Sequence, residues 1–208
     1  MSASTPQLDE WRGAFGDDYS DRNAVTVETL RARTQLWAEI LQALGGEKPA
    51  SILEIGANIG INLLALRALT DATYYAVEPN DRARGVLVEQ RVVASENLRG
   101  GAASRIDLPD GVADLAFTSG VMIHIPPAEL ESSCQEIYRC ARRFIVCIEY
   151  FSDLPQSIPY RGKADLLFKR DFGGYWLDLF PSLVAVRWGF AWKRMTGLDN
   201  LTWWLFRK

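Results

Sequence analysis

Residues 51–62 read Ser51-Ile-Leu-Glu-Ile-Gly-Ala-Asn-Ile-Gly-Ile-Asn62, an apolar run broken by one acid, followed by glycines at 56 and 60 with Asn58 between them. Such a run entering glycines and then an amphipathic stretch predicts a buried strand, a tight turn and a helix. Asn is one of the few residues with a side chain that accept a positive φ, so Asn58 can share the turn with Gly56 and Gly60. Strand–glycine turn–helix units hold nucleotides against the start of the helix.

Outward from this unit, strand and helix patterns alternate. A helix is predicted over Val27–Leu44, stopped by Gly45-Gly46, then a strand over Ser51–Ile55 and a helix over Ile59–Leu69. A strand over Thr73–Val77, a helix over Arg82–Val93 and strands over Leu98–Ala103 and Ala113–Thr118 follow. Glu129–Ala141 reads as a helix and Phe144–Ile148 as a fifth apolar strand. This alternation predicts an α/β domain, a parallel sheet with helices on both faces. Leu183–Trp192 and Leu201–Arg207, joined around Gly197–Asn200, predict a terminal antiparallel strand pair. Phe151–Pro181, rich in Pro, Gly, Tyr and charge, begins beyond the carboxyl ends of the strands and is the expected substrate-contacting insertion. Trp11, Phe15, Tyr19, Arg22 and Asn23 precede the first predicted helix, and residues 1–25 are expected to fold over the site as a lid.

At 208 residues, the chain is sized for one domain, 1–208, with one core. A net charge of −3 gives no electrostatic reason to expect nucleic acid or a membrane surface as partner. No apolar run approaches the roughly 18–20 residues of a membrane helix, and the first residues lack signal-peptide character. Cys134, Cys140 and Cys147 have neither disulfide nor zinc spacing, and His124 is the lone histidine, so no metal is expected and the protein is read as cytoplasmic.

Glu54 discriminates between cofactors. A carboxylate at the mouth of the turn repels a pyrophosphate but attracts an ammonium or a sulfonium. S-adenosylmethionine carries both cations and no phosphate. Glu78 ends the second strand, where an acid can accept hydrogen bonds from both ribose hydroxyls. The pair points to S-adenosylmethionine rather than a dinucleotide.

The stretches ILEIGANIGINLLAL, YYAVEPN, DLAFTSGVMIHIPP and WRGAFGDDYSDRN resemble the class I S-adenosylmethionine-dependent methyltransferases, most closely a branch labelled pseudaminic-acid-biosynthesis-associated methylases. That label reflects gene context rather than a substrate. The resemblance implies a Rossmann-like, seven-stranded, mostly parallel sheet with one antiparallel strand near the end. It also implies that Glu54 meets the methionine amino group, Gly56, Asn58 and Gly60 contact methionine and ribose, and Glu78 binds the ribose. Where related chains often carry an acid for the adenine amino group, this one has Ser104 and Arg105, with Asp107 as a second candidate in the loop. Ser119 and Gly120 would line the cofactor opposite the glycine turn, and Arg22, beside Tyr19, is a candidate for the methionine carboxylate.

Candidate chemical groups lie at the mouth of the sheet. His124 is a general base or the residue that orders the loop before Pro126. Glu149 and Tyr150 close the fifth strand and are expected to point into the mouth. Tyr150, Tyr160, Phe168, Phe172, Tyr175 and Trp176 offer rings for a sulfonium or cover for the sheet, and Arg161 and Lys163 are candidates for an acceptor carboxylate. Three functions follow: methyl transfer to a small molecule, cyclisation of S-adenosylmethionine to azetidine-2-carboxylate and methylthioadenosine, or cofactor binding without catalysis.

Overall fold

The computed structural model describes residues 5–162 and 166–208, so Lys163 lies outside the described residues. In chain order the elements are α1 (Pro6–Arg12), α2 (Ala14–Arg22), α3 (Val27–Gln42), β1 (Ser51–Ile55), α4 (Ile61–Arg67), β2 (Thr73–Val77), α5 (Asp81–Glu89) and β3 (Leu98–Arg99). There follow β4 (Ala113–Ser119), α6 (Pro127–Cys140), β5 (Ala141–Glu149), β6 (Gln156–Ser157), β7 (Phe168–Lys169), α7 (Phe172–Leu179), β8 (Val184–Ala191), α8 (Lys193–Thr196) and β9 (Leu201–Arg207).

Seven strands form one sheet in the order β3-β2-β1-β4-β5-β9-β8, and β6 and β7 make a separate two-stranded hairpin. Strands β3 to β5 pair in parallel, whereas β9 is antiparallel to both β5 and β8. One strand of seven, β9, therefore runs against the rest. Chain order reverses between β1 and β4, which opens a crevice beyond the carboxyl ends of those two strands.

Both faces of the central strands β1, β4 and β5 are buried, as parallel strands require. Ala32, Leu36, Trp37 and Ile40 of α3 recur at helical spacing and are buried with Leu63 and Leu66 of α4 on one face. Trp37 meets Phe117 of β4 edge-on, with ring centroids 4.5 Å apart. Leu130, Cys134 and Ile137 of α6 cover the other face with Phe172 and Trp176 of α7.

Several predicted boundaries move, each for a local reason. Helix α4 starts at Ile61 because Gly60 sits left-handed at φ 79° and cannot open the helix earlier. Helix α5 starts at Asp81, capped by the Asn80 side chain accepting from the Ala83 amide at 2.8 Å. Strand β3 keeps only two of its six predicted residues, because the chain turns away at Gly100-Gly101, the latter at φ 147°. The N-terminal segment, for which no helix is predicted before Val27, holds two short helices. Thr5 caps α1 and Pro6 opens it, yet α1 buries no residue fully, so its apolar pattern is faint. The segment expected to contact substrate, Phe151–Pro181, contains the hairpin and α7 among its described residues.

Helix α7 is seated by a glycine. A Cβ at Gly173 would run into the Trp204 indole ring of β9. Gly173→Ala is therefore expected to lower unfolding free energy by about 1–3 kcal/mol, as overpacked core sites do. Chemical denaturation checks this; unchanged stability would mean that α7 does not rest on Trp204.

Candidate active site

The crevice beyond β1 and β4 is a cavity roofed by α1 and α2. Its floor is the glycine turn. Gly56, Asn58 and Gly60 have φ of 71°, 47° and 79°, so Asn58 does adopt the glycine-like conformation expected of it. At Gly56 a side chain would fall 2.5 Å from Val121 Cγ2, on the loop after β4. At Gly60 it would strike Leu87 and Val92, which places Gly60 behind the turn and off the cavity wall. The turn and the β4 loop thus interlock, and only glycine permits the approach.

Two acids end adjacent strands and enter the same space. Glu54 is 2% exposed; its Oε1 accepts from Asn62 Nδ2 at 2.8 Å, while its buried Oε2 has no partner. Asn62 Oδ1 in turn accepts from Trp37 Nε1 at 3.3 Å, a donor-only group, which fixes the amide orientation. Burial pushes the Glu54 pKa up to about 8, against the pull of Asn62 and of the Arg33 charge. Glu78 accepts from the Asn58 amide at 2.6 Å and the Asn80 amide at 2.8 Å, and burial raises its pKa as well. Glu78 therefore holds the turn as well as facing the cavity.

The roof is tied to this floor. Asn80 Nδ2 donates to the Trp11 carbonyl at 3.2 Å and to Asp17 Oδ1 at 2.8 Å, and Ser20 Oγ lies 2.8 Å from Asn58 Oδ1. The Trp11 ring stands edge-on to Phe15 and Tyr19, at 5.1 and 5.3 Å, and 4.6 Å from the His124 imidazole. His124 Nδ1 contacts the Leu166 carbonyl, which can only accept, so the ring carries its proton on Nδ1. Burial lowers the His124 pKa to about 4, leaving the ring neutral at physiological pH and a weak base.

Of the residues singled out from sequence, Tyr19, Glu54, Gly56, Asn58, Glu78, Ser104, Ser119 and His124 line this one cavity. Others lie apart from its wall. Arg22 is exposed, with its guanidinium 5.7 Å from the Tyr19 ring centre, and Arg105 is exposed. Tyr150 donates to Asp199 at 2.8 Å and lies under Lys169; Tyr175 lies under Arg170. Phe172 and Trp176 are core.

Glu149 requires a correction. It is fully buried and turned away from the expected mouth. Its Oε1 accepts from the Val121 and Met122 amides at 3.1 and 3.0 Å, and its Oε2 from the Ile123 amide at 3.4 Å. Its work is to hold the loop between β4 and α6 that carries Val121 and His124. Burial raises its pKa to about 7 despite these three donors.

Sequence reasoning missed Arg33, Asn62 and Asn80. Arg33, in the middle of α3, lines the cavity without an ion pair among the described residues. Burial lowers its pKa while Glu54, Tyr19 and Asp199 pull it upward. An arginine inside a helix pattern, here two residues after Arg31, carries no positional signal. Asn62 and Asn80 stand four and two residues beyond Asn58 and Glu78, so polar residues flanking the two acid-bearing turns were the available clue.

A family profile described as a methyltransferase domain matches residues 29–183. The chain belongs to this methyltransferase-domain family. Solved structures share the fold of this methyltransferase domain at low identity. A Leishmania major S-adenosylmethionine-dependent methyltransferase superposes with a TM-score of 0.72 at 17% identity, over 98% of this chain and 87% of its own. The Burkholderia thailandensis 1,6-didemethyltoxoflavin-N1-methyltransferase, bound to that compound and S-adenosylhomocysteine, gives 0.70 at 18%, over 100% and 92%. Magnesium protoporphyrin IX methyltransferase from Synechocystis, bound to S-adenosylmethionine, gives 0.68 at 14%, over the whole of both chains. A sequence search of curated proteins finds no match. Among the described residues no helix is long and apolar enough to cross a membrane, and no cluster of His, Cys, Asp or Glu could hold a metal.

Two outcomes follow. A carboxyl whose pKa rises from 4.5 to about 8 on folding is neutral in the native state but ionised in the unfolded chain between those pH values. The unfolded state then gains as pH rises through that window. Glu54→Gln should accordingly melt higher than wild type at pH 8 and equally at pH 4; equal melting at both would remove Glu54 as a buried charge. Glu149→Ala should lose about 1–3 kcal/mol of stability through its stranded amides, and Glu149→Gln less. Wild-type stability of the alanine variant would refute the anchor.

Proposed function

We propose that this protein binds S-adenosylmethionine in the roofed cavity and transfers its methyl group to a small-molecule acceptor. The observation that carries the reading is the unpartnered, buried Oε2 of Glu54 at the end of the central strand. An unpartnered buried carboxyl oxygen is completed by an ammonium or N–H donor, beside which it ionises, whereas a pyrophosphate brings it no donor and opposes that ionisation. Membership of the methyltransferase-domain family supports the reading.

In this reading Glu54 receives the methionine ammonium, and Arg33 rather than Arg22 receives the carboxylate, since Arg33 is the one that faces the cavity. Glu78 keeps unused lone pairs after accepting two amides and receives the ribose hydroxyls. Ser104 and Ser119 line the remaining wall, and Arg105 stays in solvent. The cofactor supplies a methyl group on a positively charged sulfur. The chain supplies alignment, worth up to roughly 7–11 kcal/mol in favourable cases, and a dry wall of Trp11 and Tyr19 whose faces attract a cation.

His124, with its weakly basic Nε2, fits orienting the wall or accepting a proton from an acceptor that is already a good nucleophile. Tyr150 and Tyr175 have no catalytic part in this scheme. Helices α1 and α2, pinned by Asn80 and Ser20, serve as a lid that must part to admit ligands. The two metabolite methyltransferases of like fold and the resemblance to the pseudaminic-acid-associated branch favour a small acceptor from biosynthesis.

Calorimetry with S-adenosylhomocysteine and with NAD tests cofactor choice; comparable NAD binding would overturn it. Arg33→Ala should weaken the nucleoside by about 1.5–3 kcal/mol, the range of a charged hydrogen bond, while Arg22→Ala leaves it unchanged. Affinity should rise between pH 6 and 8 as Glu54 ionises. Mass spectrometry after incubation with S-adenosylmethionine alone separates the reactions: stoichiometric methylthioadenosine would mean cyclisation, whereas methyl transfer leaves the cofactor intact until an acceptor is added.

A further inference from the structure

We propose that the open edge of the sheet is a homodimer interface, in which β8 pairs antiparallel with β8 of a second copy of this chain. Strand β8 is bonded on one side only, to β9. Its other side presents unpaired backbone groups together with Trp188, Phe190 and Trp192, which are 69%, 55% and 49% exposed.

The register shows how these rings are arranged. Trp188 lies opposite Trp204 and Phe190 opposite Thr202, so both stand on the face covered by α7. There the patch continues to Phe151, itself 46% exposed, whose ring lies 6.4 Å from that of Trp204. Arg187, Gly189 and Ala191 belong to the other face. Solvent-facing edges are ordinarily blunted by charge, proline or a bulge. Here the irregularity falls between Ala185 and Arg187, and beyond it Arg-Trp-Gly-Phe-Ala-Trp, 187–192, has no proline, no acid and one base.

A second copy fits this edge because the strand is complementary to itself. With the two-fold axis at Gly189, Trp188 lies across from the partner's Phe190, and Phe190 from the partner's Trp188. Arg187 lies across from the partner's Ala191, so no like charges oppose. Cross-strand aromatic pairs are among the favourable ones in antiparallel sheets, and a two-fold contact is the commonest homo-oligomer geometry. The three rings expose roughly 400 Å² per copy by their usual size. The strand backbone, with the exposed Val184 at its start and Met195 of the adjoining α8, brings this towards the roughly 800 Å² per partner of a stable interface. An anionic bilayer suits the edge less well, because Arg187 projects from the opposite face to Trp188 and Phe190.

The test is sedimentation equilibrium of the full chain from low to high micromolar concentration. The expected result is a concentration-dependent approach to twice the 23.3 kDa chain mass. Trp188→Glu and, separately, Phe190→Lys should each weaken dimerisation at least about tenfold, as central aromatic anchors do. Both should retain wild-type circular dichroism and melting of the monomer; if one misfolds, the other decides. A monomer at every concentration, a dimer unmoved by both substitutions, or a monomer that instead sediments with phosphatidylserine vesicles would overturn the proposal.

Discussion

A carboxyl group buried at the end of the central strand sets the terms for the rest of this molecule. Glu54 is desolvated, only one of its oxygens is hydrogen-bonded, and its pKa has risen to about 8. Such a group destabilises the free protein at neutral pH unless a donor arrives. Everything around it maintains that state. Trp37 and Asn62 fix its orientation from behind, and residues of the left-handed turn and of α1 and α2 line the cavity it faces.

The two acids differ in what the fold asks of them. Glu78 is held by the Asn58 and Asn80 amides, so it is part of the turn as well as a candidate ligand group. Glu54 has a single anchor and an empty oxygen. That difference in saturation separates a group that shapes the cavity wall from one that keeps an unfilled oxygen. Glu149 is the extreme case of the first kind, with three amides and no access to the cavity. The β4 loop it holds is pressed against Gly56 through Val121, which links the fifth strand to the glycine turn.

Strand and helix types were legible in the chain because burial on both faces of a parallel sheet imposes continuous apolar runs, and amphipathic helices impose a 3.6-residue period. Glu54, Glu78, Asn58 and the glycines were legible because turn chemistry and charge at a strand end are local properties. Helices α1 and α2 were not, since their order comes from docking: Trp11, Asp17 and Ser20 find partners on Asn80 and Asn58, 38 to 69 positions away. Glu149 and Tyr150 illustrate the converse. Their place at a strand end was read correctly, but strand position leaves open whether a side chain faces the cavity or the loop beneath it.

By itself, then, the sequence determined the covered parallel strands, the terminal antiparallel pair and the nature of the glycine turn, all of which follow from periodicity and backbone preference. Tertiary structure alone decided which charges meet in the cavity. Arg33 enters it from α3 while Arg22, within the expected lid, remains in solvent. It also decided that Glu149 serves a loop, and that Trp188 and Phe190 face outward rather than inward. The physical reason is common to all of these: which way a polar or aromatic side chain turns is set by neighbours distant in sequence, through burial and hydrogen-bond saturation that no local pattern records.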